Sequence, residues 1–120
     1  MLVAQRVESS VYERPLDLVH LSRQTNGDRH LEREVLAIFS RQARQVLFQL
    51  EAMNDPMNRF EIAHALNGSA KGVGAWRVAT AAQALENAAR AGTTAGEQVA
   101  VLAECISEVV EEIDELLSEN

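Results

Sequence analysis

From Val99 to Leu116 the apolar residues Val99, Leu102, Ile106, Val109, Ile113 and Leu116 follow one another in alternating steps of three and four. That rhythm lays them on one stripe of an α-helix, the seam along which a helix packs lengthwise against its neighbours. A strand could not use it, because residues two apart share a strand face. The rest of the chain agrees. No stretch alternates cleanly with period two, and the aromatic residues that strands favour make up only 4%. The sequence predicts an all-α protein.

The breaks divide it into helices. Both prolines, Pro15 and Pro56, read as helix starts, and Pro56 follows Asp55 as an N-cap followed by proline at the first helical position. A short helix is expected over "PLDLVHLSRQ", with Leu16, Leu18 and Val19 as its apolar contacts, ended by "TNGD". Asp28 can cap a long second helix, whose Leu31, Val35, Ile38, Phe39, Val46 and Leu50 recur at helical spacing until "MNDP". A third helix covers about 56 to 73, and Gly74 separates it from the fourth, "AWRVATAAQALENAARA", which "GTTAG" terminates. The last runs from about 97 to 118. Four substantial helices with short connections predict an antiparallel up-down-up-down four-helix bundle with an additional short N-terminal helix. Residues 1–14 are expected to form an arm and residues 15–120 a single bundle domain, a size that suits one modest core.

A net charge of −7 argues against nucleic acid as a partner, since phosphate binding needs a basic face. No apolar run is long enough to span a bilayer and no secretory leader is evident, so a soluble chain without a membrane partner is expected. The single Cys105 cannot form an internal disulfide and lies among apolar helical positions, which suits a small buried residue in a reducing cytoplasm. Seven acidic residues fall in "ECISEVVEEIDELLSEN", the solvated face of the last helix. A monomer is expected, with a bundle dimerising through that helix as the competing arrangement.

The segment "AHALNGSAKGVGA", residues 63 to 75, holds three of the glycines and His64. A glycine inside a helix costs about 1 kcal/mol relative to alanine. On a wheel of about 100° per residue, Ile62, Ala63, Leu66, Ala70 and Val73 cluster on the core side, and His64 falls almost opposite. Phe60, Asn67, Gly68 and Lys71 stand three, four or seven residues from His64 and are expected to share its outward face. Arg59 falls near the core side and can escape by snorkelling from the first turn. Gly68 removes a side chain beside the imidazole, which would let another macromolecule's backbone come close. An ordinary surface histidine beside a tolerated glycine fits the wheel equally well.

Here the sequence resembles a known family. "HALNGSAKGVGAWRVATAAQALENAAR" looks like the signature of histidine-containing phosphotransfer (HPt) domains, helical bundles that relay phosphoryl groups in multistep two-component signalling. His64, Leu66, Gly68, Ser69, Gly74, Ala75, Leu85 and Glu86 fill the places of the family pattern, and "LEREVLAIFSRQARQVLFQLEAM" looks like the family's preceding helix, with Phe39 at a typical position. The resemblance covers roughly residues 16 to 117. It departs at Asn67, where the family usually has a lysine understood to stabilise phosphohistidine. Lys71 could supply that charge, and Asn67 retains amide donors.

The resemblance implies that His64 takes a phosphoryl group from a phospho-aspartate on a receiver domain, through Nε2, and returns it to another receiver. A neutral imidazole is a competent nucleophile near neutral pH. The chain has no phosphate-binding loop, no kinase-like nucleotide signature and no compact acidic metal site. No cofactor of its own is expected, and Mg²⁺ and a catalytic lysine would come from the receiver, which makes the protein a carrier rather than an enzyme. The expected partners are receiver domains of response regulators or hybrid histidine kinases. The competing reading is a module that docks on a receiver or kinase without accepting phosphate, owing to Asn67.

Counting equal distances either side of Gly74 brings residues about 83 to 86 of the fourth helix level with His64. Gln83, Glu86 and Arg90 share one polar face there. They could orient the ring and meet the phosphate or partner, or be ordinary solvated positions. Phe60 could anchor an apolar receiver contact or lie partly buried. Trp76 should pack in the core or turn. His20 and His30, without a neighbouring glycine or a basic residue in the same pattern, read as incidental.

Overall fold

The computed structural model describes residues 14–52, 55–93 and 95–119. Five α-helices account for most of them: α1 (Leu18–Gln24), α2 (Arg29–Ala52), α3 (Pro56–Val73), α4 (Trp76–Arg90) and α5 (Gly96–Ser118). No strand occurs among the described residues. The expected N-terminal arm lies, except for Arg14, outside them.

Helices α2 to α5 pack in a closed ring, each against its chain neighbour and α2 against α5, while α1 leans on α3. This is the four-helix bundle with a short N-terminal helix that the apolar spacing predicts. The core is built from Phe39, Ala43, Val46 and Leu50 of α2, Ala63, Leu66 and Ala70 of α3, Val78, Ala82 and Leu85 of α4, and Leu102, Ile106, Val109 and Ile113 of α5. The α5 seam therefore faces inward over its central turns, with Val99 and Leu116 partly buried at its ends. Ala63 and Ala70 of α3 and Ala79, Ala81, Ala82 and Ala89 of α4 are among the buried residues, small side chains that suit close packing of helices.

Some expected core residues lie outside it. Leu18 is 42% exposed and Val19 63%, because α1 turns Leu21 inward and Leu16 fills the core ahead of it. In α2, Leu31 is 40% and Ile38 57% exposed, since Leu36 and Phe39 take the inward positions. In both helices an apolar stripe broader than the buried face was legible, and only the neighbours decide which edge is covered. Cys105 is buried, as expected, and burial pushes its thiol pKa up.

The helix ends follow their local chemistry. Asp28 Oδ1 accepts from the Leu31 N–H at 3.0 Å and caps α2. Asp55 sits at the N-cap of α3 before Pro56, although its side chain makes no capping bond. At the other end of the bundle Arg33 of α2 donates to the carbonyls of Leu117 (2.6 Å), Leu116 (3.2 Å) and Glu119 (3.3 Å), satisfying the open C-terminus of α5. Arg44 makes a two-pronged bond to Asp114 at 2.8 and 2.9 Å, again joining α2 to α5.

The α3–α4 turn sets the register on which the site depends. Gly74 closes α3 at φ +83°, a left-handed conformation in which a Cβ would meet the Asp17 carbonyl oxygen at 2.9 Å. Asp17 ties α1 to this turn from both sides of its peptide: its N–H donates to the Gly74 carbonyl at 2.9 Å, and its carboxylate accepts from Trp76 Nε1 at 2.9 Å and from the His20 N–H at 3.1 Å. His20 meets the Trp76 ring edge-on at 4.9 Å. His20 is thus part of the clasp between α1 and the turn. His30 is exposed, with Nε2 3.9 Å from Glu34 Oε1.

Candidate functional site

The antiparallel pairing of α3 and α4 about Gly74 brings His64 and Glu86 face to face. His64 Nδ1 lies 3.1 Å from Glu86 Oε2. The two side chains differ sharply in environment: that of His64 is 71% exposed and that of Glu86 only 4%. The imidazole thus points outward, as the wheel places it, while the carboxylate beneath it is sealed between the helices.

Burial pushes the Glu86 pKa up, but hydrogen bonds from His64 and Asn67, with the charges of His64 and Arg90, outweigh it and hold the carboxyl below its usual range. Glu86 is therefore an ionised acceptor at neutral pH. An ionised carboxylate can only accept, so Nδ1 carries the proton in this contact. The lone pair of the neutral ring then sits on Nε2, on the far side from Glu86.

Phe60, one turn before His64 on α3, stacks on the imidazole with centroids 5.8 Å apart and planes 12° from parallel. The Arg90 guanidinium of α4 lies 5.2 Å from the Phe60 centroid, in cation–π range. A half-buried ring, an exposed imidazole and an exposed cation thus form one ridge across α3 and α4. Beyond it, Pro56, Met57, Phe60, Ala89 and Arg90 line a shallow notch of about 330 Å³.

On the other side of His64 the surface is bare. Gly68 is exposed, and a Cβ there would meet nothing within 4 Å. No packing among the described residues calls for glycine at this position. Lys71 is exposed two turns beyond His64, about 10 Å along the axis at 1.5 Å per residue.

Asn67 is not on this outward face. It is 6% exposed and lies in the α3–α4 seam, where Nδ2 donates to Gln83 Oε1 at 2.9 Å and to Glu86 Oε1 at 3.2 Å. The wheel misplaces it because it stands on the border between faces. Its neighbours at four before and three after, Ala63 and Ala70, are both fully buried and draw it inward. That alanine bracket is the signal in the sequence that a polar residue there is held within a seam. Gln83 in turn donates to Asn87 Oδ1 at 3.2 Å. Of the polar face read from α4, Glu86 is buried, Gln83 half-buried and Arg90 exposed. Arg59 is half-buried at the start of α3.

A family model described as the Hpt domain matches residues 34–119, most of the chain. The chain belongs to the Hpt domain family, the helical phosphotransfer modules of two-component phosphorelay signalling, which carry phosphoryl groups and meet receiver domains to exchange them. Among curated proteins no relative matches, and no solved structure does. No helix among the described residues is long and apolar enough to cross a membrane, and no group of three or more His, Cys, Asp or Glu among them could hold a metal ion.

Proposed function

We propose that this chain is a phosphorelay carrier whose phosphoacceptor is His64, loaded by the phospho-aspartate of one receiver domain and unloaded by the aspartate of another. The observation that carries the reading is the pairing of an exposed imidazole with a buried, ionised carboxylate at its Nδ1.

In the forward step the Nε2 lone pair attacks the phosphorus of the aspartyl phosphate. The N–P bond forms, the acyl P–O bond breaks, and its electron pair leaves with the aspartate carboxylate. The Nδ1 proton stays on the ring, which becomes cationic, and the Glu86 carboxylate faces that new charge at hydrogen-bond distance. In the return step the receiver's aspartate attacks the phosphorus, the N–P bond breaks, and a neutral imidazole still carrying its Nδ1 proton leaves. A carboxylate that keeps this proton in place serves both directions, because a neutral leaving group departs more readily than an imidazolate. Mg²⁺ and the lysine that assist the receiver's own phosphate are assigned to the receiver.

The surface around His64 fits a receiver's approach. A donor that brings phosphorus to Nε2 also covers the Phe60–Arg90 ridge, the Met57 notch and the bare stretch at Gly68. Arg90 and Lys71 are exposed cations of α4 and α3 that in this reading answer the charge of the phosphoryl group and of the receiver's acidic pocket. Gln83 and Glu86 support the site from beneath.

Incubating the full chain with a phosphorylated receiver tests the reading. Acid-labile, alkali-stable label on the parent and none on His64→Gln is expected. Equal labelling of the two proteins contradicts it.

A further inference from the structure

We infer that Asn67 is a positioning residue that acts through Glu86 and makes no contact with the phosphoryl group. The inference rests on the reading of His64 as phosphoacceptor, and it assigns this chain a different use for the position at which the HPt resemblance expects a lysine.

The amide of Asn67 has two N–H donors, and both are occupied within the seam, one by Gln83 Oε1 at 2.9 Å and one by Glu86 Oε1 at 3.2 Å. None is left for a phosphoryl oxygen. The amide cannot be turned round, since Oδ1 would then face a carboxylate oxygen and a carbonyl oxygen, acceptor against acceptor. In the orientation it holds, Oδ1 is buried without a partner. A buried acceptor left unmade is a cost that an apolar side chain would avoid. What the polar side chain provides must therefore lie in its two donors, one holding the carboxylate under the histidine and the other holding Gln83 beside it.

The geometry makes a four-cornered frame. His64 and Asn67, three apart on α3, each hold one oxygen of Glu86: Nδ1 faces Oε2 at 3.1 Å and Nδ2 faces Oε1 at 3.2 Å. Gln83, three before Glu86 on α4, holds the other donor of Asn67 and is itself steadied by Asn87. With one oxygen pinned by Asn67, the carboxylate cannot swing about its last torsion, and its second oxygen stays aimed at Nδ1. The frame thereby fixes which ring nitrogen carries the proton and which one is free to attack.

The test is the tautomer of His64 in the unphosphorylated full-length chain, read by two-bond ¹H–¹⁵N correlation, together with the rate of labelling by a phosphorylated receiver. The parent should show the Nδ1–H form. Asn67→Ala, with helix content retained by circular dichroism, should shift His64 toward a mixture of tautomers and slow labelling roughly tenfold, as the loss of one charge-assisted hydrogen bond would. Gln83→Ala leaves the seam residue in place and should move the tautomer in the same direction by less, which keeps the inference open to refutation should Asn67→Ala not fold. An unchanged tautomer in both variants overturns the inference. So does an Asn67→Ala protein whose tautomer is unchanged but whose phosphohistidine is shorter-lived, the result expected of a phosphate ligand. Because the tautomer is read without phosphate, failure of the parent to accept label would sink the phosphoacceptor reading and leave this measurement standing.

Discussion

Glu86 reaches His64 from below, its Oε2 3.1 Å from Nδ1, and no other contact on the imidazole occupies a ring nitrogen among the described residues. The ring is stacked on one face by Phe60 and open to solvent elsewhere. The side chain is thus oriented by the fold and available to a partner at once.

Replacing Glu86 by glutamine keeps an oxygen acceptor but removes the charge that would face the ring in the proposed phosphorylated state. Transfer from a phosphorylated receiver should slow by about tenfold to a hundredfold, the equivalent of a charge-assisted hydrogen bond. Helix content should be unaltered. Stopped-flow labelling with circular dichroism as control checks this, and a parental rate would mean the carboxylate charge plays no part.

Gly68→Ala should separate stability from docking. A Cβ there meets nothing, so the helix gains roughly 1 kcal/mol from alanine's propensity, a rise in melting temperature of several degrees for a domain near 100 residues. A bulkier Gly68→Gln should fold equally well and bind receivers less tightly, measured by calorimetric titration. Loss of stability in Gly68→Ala would show that the open space is not real.

Gly74→Ala should have the opposite sign on stability. Its φ of +83° disfavours any L side chain, and the new Cβ would press on the Asp17 carbonyl at 2.9 Å. A cost of about 1–3 kcal/mol is expected in urea denaturation, with the α3–α4 register and the His64–Glu86 contact disturbed together. A neutral result would remove the turn from the account.

Acid should weaken the fold through two carboxylates. The Trp76 hydrogen bond, with the His20 N–H and the His20 charge, lowers the Asp17 pKa against its burial. In Glu86, burial raises the pKa, but its hydrogen bonds from His64 and Asn67 and the charges of His64 and Arg90 lower it further. A folded-state pKa below the unfolded one contributes stability that is complete above the unfolded value and lost as pH falls through the folded one. The loss should therefore come below about pH 4, under the ordinary carboxylate range. Glu112 works the other way, since burial raises its pKa and folding is eased as it protonates on the way down from neutrality. Thermal melts across pH 7 to 2 should thus hold or rise slightly before falling, and the fall should be shallower in Asp17→Asn. An identical fall in that variant would contradict the Asp17 clasp.

The helices were legible because their evidence is local: apolar spacing in α5, Asp28 before α2, Asp55–Pro56 before α3, Gly74 after it. The outward direction of His64 and the level of Glu86 opposite it also followed from periodicity and from equal counts about a turn. The seam position of Asn67 did not, because a residue on the border between two helix faces is assigned by its partner helix, here by Gln83 and Glu86. The exposure of Leu18 and Ile38 escaped for the same reason. His20 was passed over because its partner Trp76 lies more than fifty residues away and meets it only through the fold.

The most direct measurement is the site of the phosphoryl group on the loaded protein, read by ³¹P and ¹⁵N spectroscopy of the chain labelled at histidine. The account predicts a single phosphohistidine at His64, joined through Nε2, with Nδ1 still protonated against Glu86. Phosphate on Nδ1, or on His20 or His30, would contradict it.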